Sequence, residues 1–312
     1  MNFKNTNILR FTIILLCLLN VACNRVKVPQ PPPKAKPISF KSIAGISYTE
    51  VRRRLASGLS FDNQGFETEP SYQITFLAND SASVYSPDKQ AFINFLVFLE
   101  PDSIFNVARS YFKMKHMSKD SLLLQVLQVE GDTLHMKRSL VYMTFYSNNY
   151  LKNVLHTDAA TLGKPDRRDT LYILKKSALA NKTIDSAFAA RQPATIVSKN
   201  PLAIVQKVGK SADVMNNYDP SDAYMNPEFN ITINKAYEDF SYSFSAFVDD
   251  KGQLHFDRSL IDIMPEYKVS TINTIKAIID GYLKFYLVVK PGSTLGIVHA
   301  SRVILNVVGR KN

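Results

Sequence analysis

The chain has 312 residues, 46% of them apolar, enough for one large or two moderate domains. Its formal charge of +11 is concentrated near the start: Lys4 and Arg10 precede residue 23, and residues 24–38 hold four bases and no acid. That leaves +5 for 39–312, an ordinary balance that gives no ground for a nucleic-acid role.

The first 22 residues have the three parts of an export signal. Lys4 and Arg10 supply a positive start, Phe11 to Leu19 an apolar core, and Val21-Ala22 the small residues before Cys23. The core is too short for a membrane-spanning helix, which needs roughly 20 apolar residues. The arrangement resembles a bacterial lipoprotein signal, with Asn20 standing where that family usually has Leu. The resemblance implies a signal peptide over 1–22 and an acylated Cys23 that anchors the mature chain in the membrane. Cys17 would leave with the signal, so no thiol would remain for a disulfide, metal or nucleophile. Asn24 is not the Asp of inner-membrane retention, and no acid follows the cysteine as in surface-displayed lipoproteins. The expected address is therefore the outer membrane, facing the periplasm. Residues 23–38 then form a basic, proline-rich linker, able as polyproline II to span on the order of 45 Å.

Beyond the linker the reading is α+β: two mixed domains with antiparallel sheets and flanking helices, 39–208 and 229–312, separated by an Asn/Asp/Pro-rich linker over 209–228. The stretch 46–58 reads as a short helix ending at Gly58, and 101–117 as a helix opening on Pro101 and Ser103. Residues 72–78 and 92–99 read as strands, and 121–147 as two strand-like runs around Glu130-Gly131-Asp132. In the last part, 240–248 and 253–261 read as a hairpin, 269–283 as an amphipathic helix, and 284–289 and 302–308 as strands.

The residues Phe247 to Leu254, the helix before Leu283-Lys284-Phe285, Gly296 and Val303 to Val308 resemble the C-terminal domain of TonB-like proteins. The resemblance covers about a quarter of the chain. It lacks that family's aromatic-proline signature before the first strand and its N-terminal transmembrane anchor. It implies a non-catalytic unit that holds partner peptides by strand addition.

Chemistry is sparse. His116, His135, His156, His255 and His299 are isolated from one another, and none has metal-ligand spacing. Gly209-Lys210-Ser211 lacks the first glycine of a P-loop, with Ile204 in its place. Asp219 and Asp222 lack the rest of an EF-hand. No cofactor, metal site or catalytic residue is expected. One recurrence stands out: Asp followed by Ser or Thr and a small or aliphatic residue. It makes Ser81, Ser103, Ser121, Thr133, Thr170 and Ser186 candidate O-glycosylation sites, and each is equally a turn or cap. The sequence thus points to a lipid-anchored envelope protein with a protein-binding or scaffolding role. The alternative is a hydrolase whose site is assembled from distant residues, including 218–228.

Overall fold

The computed structural model describes residues 37–87, 89–131, 133–135, 138–209 and 221–311. Cys23, the signal segment and most of both expected linkers lie outside the described residues. The protein is mixed, 43% strand and 23% helix, with sheets that are almost wholly antiparallel. No helix among the described residues is long and apolar enough to cross a membrane.

The first ten strands are β1 (Ser47–Leu55), β2 (Gln73–Phe76), β3 (Ser81–Ser86), β4 (Ala91–Leu96), β5 (Phe98–Glu100), β6 (Ile104–Val107), β7 (Ser110–Met117), β8 (Ser121–Glu130), β9 (Thr133–His135) and β10 (Val141–Ser147). They form one sheet in the order β4-β3-β2-β1-β10-β8-β7-β6-β5, with β9 a branch on β8. The two end strands, β4 and β5, are separated by Val97 alone. One run of chain therefore pairs with β3 through its first half and β6 through its second. The sheet curls round and closes through its own chain, an up-and-down barrel. Small barrels of this kind have interiors that side chains can fill. Here Tyr48, Phe76, Phe105, Leu122, Leu124 and Phe145 fill it, all buried. Phe40, on the entering chain, stacks on Phe76 at 3.9 Å between ring centroids and closes one end.

Two expected helices are strands of this barrel. Residues 46–58 contain β1, because Tyr48 and Glu50 alternate inward and a bulge after Glu50 lets Val51 be buried as well. Residues 101–117 contain the β6–β7 hairpin. Ala108 and Arg109 both have positive φ, 51° and 64°, as a two-residue turn requires, and so reverse a segment whose spacing also fits a helix. The strands expected in 72–78, 92–99 and 121–147 are present.

After the barrel come α1 (Asn148–Asn153), α2 (Ala159–Gly163) and α3 (Arg167–Lys182). Then follow β11 (Thr195–Ser198), β12 (Ala203–Lys207), α4 (Asp222–Met225), β13 (Glu228–Asn234), β14 (Phe240–Val248) and β15 (Leu254–Ser259). The chain ends with α5 (Lys268–Ile278), a π-helical turn (Ile279–Leu283), α6 (Lys284–Tyr286), β16 (Leu287–Lys290), β17 (Ser293–Thr294), β18 (Ile297–Val298) and β19 (Ser301–Arg310). The second sheet runs β12-β13-β19-β14-β15, with β13 and β19 parallel. The expected C-terminal helix is shorter than its apolar pattern, since it passes into the π turn at Ile279. The strand expected from 284 begins only at Leu287. Val303, Leu305 and Val307 are buried on one face of β19, against a core that includes Ile275, Ile278 and Leu283.

The second sheet also takes in chain N-terminal to residue 209. β12 pairs with β13, and β11 pairs with β16. A third cluster packs on α3: Ile173 and Ala180 of that helix with Phe61, which follows β1, Phe188, and Ala300, which precedes β19. The Asp169 carboxylate, at the start of α3, is fully buried. It accepts from the Arg54 guanidinium of β1 and from the Ser60 and Asp166 N–H groups at 2.8 and 2.9 Å. A charge so placed is tolerable because both carboxylate oxygens accept hydrogen bonds, one of them from a guanidinium.

Candidate functional site

An enclosed cleft beside a strand edge lies where β15 faces the π turn. β15 is an edge strand whose hydrogen-bonded neighbour is β14. The Gln253 carbonyl accepts from the Asp249 N–H at 3.0 Å, so the backbone groups of Gln253 and His255 face β14. Those of Leu254 and Phe256 face outward. Beside this edge is a cleft of about 160 Å³, lined on one side by Gly252 to His255 and on the other by Ile279, Asp280, Leu283 and Lys284, with Leu287 and Val289 at its floor. The turn before β15 must approach β16 closely: Gly252 has φ +77°, and a Cβ there would collide with the Val289 carbonyl oxygen. The cleft is apolar at its base and carries charges of both signs, Asp280 and Lys284, at its rim.

His255 and Asp249 meet at 2.9 Å beside this cleft. Burial by itself would raise the Asp249 pKa. Hydrogen bonds from His255 and from the Gln253 and Lys251 N–H groups outweigh it and hold the carboxyl below its ordinary value. An acid–imidazole pair is half of a nucleophilic site, but no hydroxyl or thiol side chain lines the cleft.

On the other side of the π turn, Tyr237, Ile278, Tyr282, Phe285 and Tyr286 line a wider, shallower groove of about 510 Å³. Tyr282 stacks on Tyr237 at 6.4 Å and meets Tyr286 edge-on at 5.7 Å. The Tyr237 hydroxyl is pushed up to about 12, mainly by its hydrogen bond to Glu238, so it remains a neutral phenol at any working pH.

The residues singled out from sequence are scattered. His299 is wholly buried, bonded to Thr294 at 2.9 Å and stacked on Phe188 at 3.7 Å. Burial, with the charge of Lys176, drops its pKa to about 4, which makes it a neutral core group. His135 lies beside Glu130 on the barrel surface. Tyr224, in the segment 218–228, is a strut: its ring lies under Arg191 and its hydroxyl accepts from the Glu67 N–H at 3.0 Å. Lys210, Ser211 and Asp219 lie outside the described residues, and Asp222 opens α4. Among the described residues no group of three or more His, Cys, Asp or Glu is placed to hold a metal.

Of the six glycosylation candidates, Thr133 and Thr170 are exposed and Ser103, Ser121 and Ser186 half-buried. Ser81 is buried and donates to Asn79 Oδ1 at 2.6 Å. Asp80, Asp102 and Ser103 have positive φ, so at two triplets the backbone itself favours a short polar residue. No family model matches the chain, and no curated protein is similar to it.

Proposed function

We propose that the protein is a lipid-anchored envelope protein that binds another protein and catalyses nothing, holding its partner by strand addition to the C-terminal sheet. The observation that carries this reading is the outward edge of β15 beside a cleft that is apolar at its base and charged at its rim. A strand laid along Leu254 and Phe256 would satisfy their backbone groups, and one side chain could enter the cleft; affinity then comes from the main chain and specificity from the pocket. The hairpin β14–β15, the helix α5 and the return strand β19 beside β14 support the likeness to a TonB-like unit. β19 itself is a central strand, with β13 on its far side, so β15 is the edge on which the reading rests. The barrel and the C-terminal sheet are read as two domains, each with its own core cluster.

The anchor is Cys23, reached through the proline-rich linker, and the address is the periplasmic face of the outer membrane. Replacing Cys23 with Ala should move the protein from the membrane fraction to the soluble one. For the binding role, a photo-crosslinking residue at position 255 should trap a discrete envelope protein in the native host, and the same residue at exposed Lys115 should not. No adduct at 255, or the same adducts at both positions, would count against the reading.

A further inference from the structure

We propose that the outer edge of β4 is a self-pairing surface, through which two copies of this chain join antiparallel about a two-fold axis at Asn94. This edge belongs to the barrel and not to the sheet that carries β15. Alternate residues of a strand send their N–H and C=O groups to opposite sides. The Val97 N–H donates to the Asp80 carbonyl at 2.9 Å, on the β3 side, so Ala91, Ile93 and Phe95 face β3 as well. The even-numbered residues face the other way. Phe98 and Glu100 meet Asn106 and Ile104 of β6, but the β6–β7 hairpin turns back at Ala108-Arg109. Phe92, Asn94 and Leu96 extend beyond it, and no described strand pairs with them on that side.

Natural edge strands are guarded by charges, prolines or covering segments. From Gln90 to Leu99 there is no charged residue, proline or glycine. Instead the outward side chains are apolar: Phe92 is 54% exposed, Leu96 66% and Phe98 61%. The edge is also self-complementary. With Asn94 opposite Asn94, Phe92 of each copy faces Leu96 of the other, and every free backbone group of these three residues finds a partner. A shift of two residues one way would call on Phe98, whose backbone is already paired with β6, and the other way on Gln90, whose φ of 48° takes it out of the strand. The occupant that uses the whole edge is therefore the same edge of a second copy, an isologous contact. The two Asn94 amides would meet at the axis, each able to donate to the other.

Sedimentation equilibrium of the purified full chain, from micromolar to millimolar concentration, tests this. The expected result is a reversible monomer–dimer equilibrium. Asn94→Lys and Asn94→Glu, at an exposed position, should each raise the dimer dissociation constant about a hundredfold or more by setting like charges face to face. An equimolar mixture of the two should dimerise again. Leu96→Lys mixed with Phe92→Glu provides a second complementary pair if a position-94 variant fails to fold. A wild-type chain that stays monomeric throughout overturns the proposal, leaving the edge to some other strand. So does an Asn94→Lys chain that dimerises as tightly as wild type, or a set of complementary mixtures that remain monomeric.

Discussion

The barrel and the C-terminal sheet solve the same problem in opposite ways. Both are mainly antiparallel and bury one face of their central strands, yet the barrel closes on itself while the sheet stays open. In the barrel nearly every strand pairs with its neighbour in sequence. The sheet places β13 beside β19, joining residues 228 and 304, and sets β15 at an edge beside a helix. Closure leaves the barrel an interior occupied largely by aromatic and aliphatic side chains, and from Phe92 to Leu96 an edge that no described strand pairs. Openness leaves the sheet with a cleft. The two regions thus offer different surfaces: the barrel a bare strand edge, and the sheet an edge beside a cleft.

The largest loss of stability is expected where α3 is tied to β1 of the barrel. Removing the Asp169 carboxylate with Asp169→Ala leaves the mostly buried Arg54 guanidinium with Asp166, at 3.5 Å, as its remaining acid and takes the acceptor from the Ser60 N–H; it should cost about 3 kcal/mol, measured by urea unfolding. A loss below 1 kcal/mol, the usual size for surface changes, would mean that the pair is not holding β1 to α3.

A second loss is expected on titrating the core that packs on α3. His299 is neutral when folded, with a pKa near 4 set mainly by burial, whereas the unfolded chain takes up a proton near its ordinary value. The unfolded state therefore binds more protons between these values, and stability falls as pH drops through that window. The loss should approach about 3 kcal/mol by pH 4, and His299→Gln should remove that part of the slope. An unchanged slope in the variant would assign the acid sensitivity elsewhere.

A third test concerns how much chain the open sheet needs. A fragment 193–312 should fold cooperatively, whereas 229–312 should be weaker by a few kcal/mol, because it lacks β11 and β12, the partners of β16 and β13. Equal stability of the two would return the boundary to residue 229. The smallest effect is expected at exposed Thr133 and Thr170. Changing either to Ala should leave stability within about 0.5 kcal/mol, while shortening the native-host mass by a sugar if that residue is glycosylated.

The same contrast explains what could be read in advance. The β14–β15 hairpin was legible because Asp249 to Gly252 is a strong turn between alternating runs, and β19 because Val303, Leu305 and Val307 keep strict alternation. β1 was not legible: its bulge at Val51 breaks the two-residue period, and Arg52 to Leu55 suits a helix equally well. The β6–β7 hairpin was hidden because its turn is Ala-Arg rather than a glycine pair. The parallel pairing of β13 with β19 left no trace, since alternation fixes which face is buried and not which strand lies alongside. The cleft was missed for the same reason. Its two walls, 252–255 and 279–284, are joined only by the fold, and the π turn that shapes one wall follows an unbroken helical pattern.

Amide hydrogen exchange distinguishes a β15 edge that receives a partner strand from one that is merely exposed. In the purified protein the Leu254 and Phe256 N–H groups, turned away from β14, should exchange quickly, and the His255 N–H slowly. In the crosslinked or co-isolated complex, Leu254 and Phe256 should become protected by a hundredfold or more, about the effect of 3 kcal/mol of added hydrogen-bonded structure. If both amides exchange as fast in the complex as in the free protein, the partner does not add a strand there.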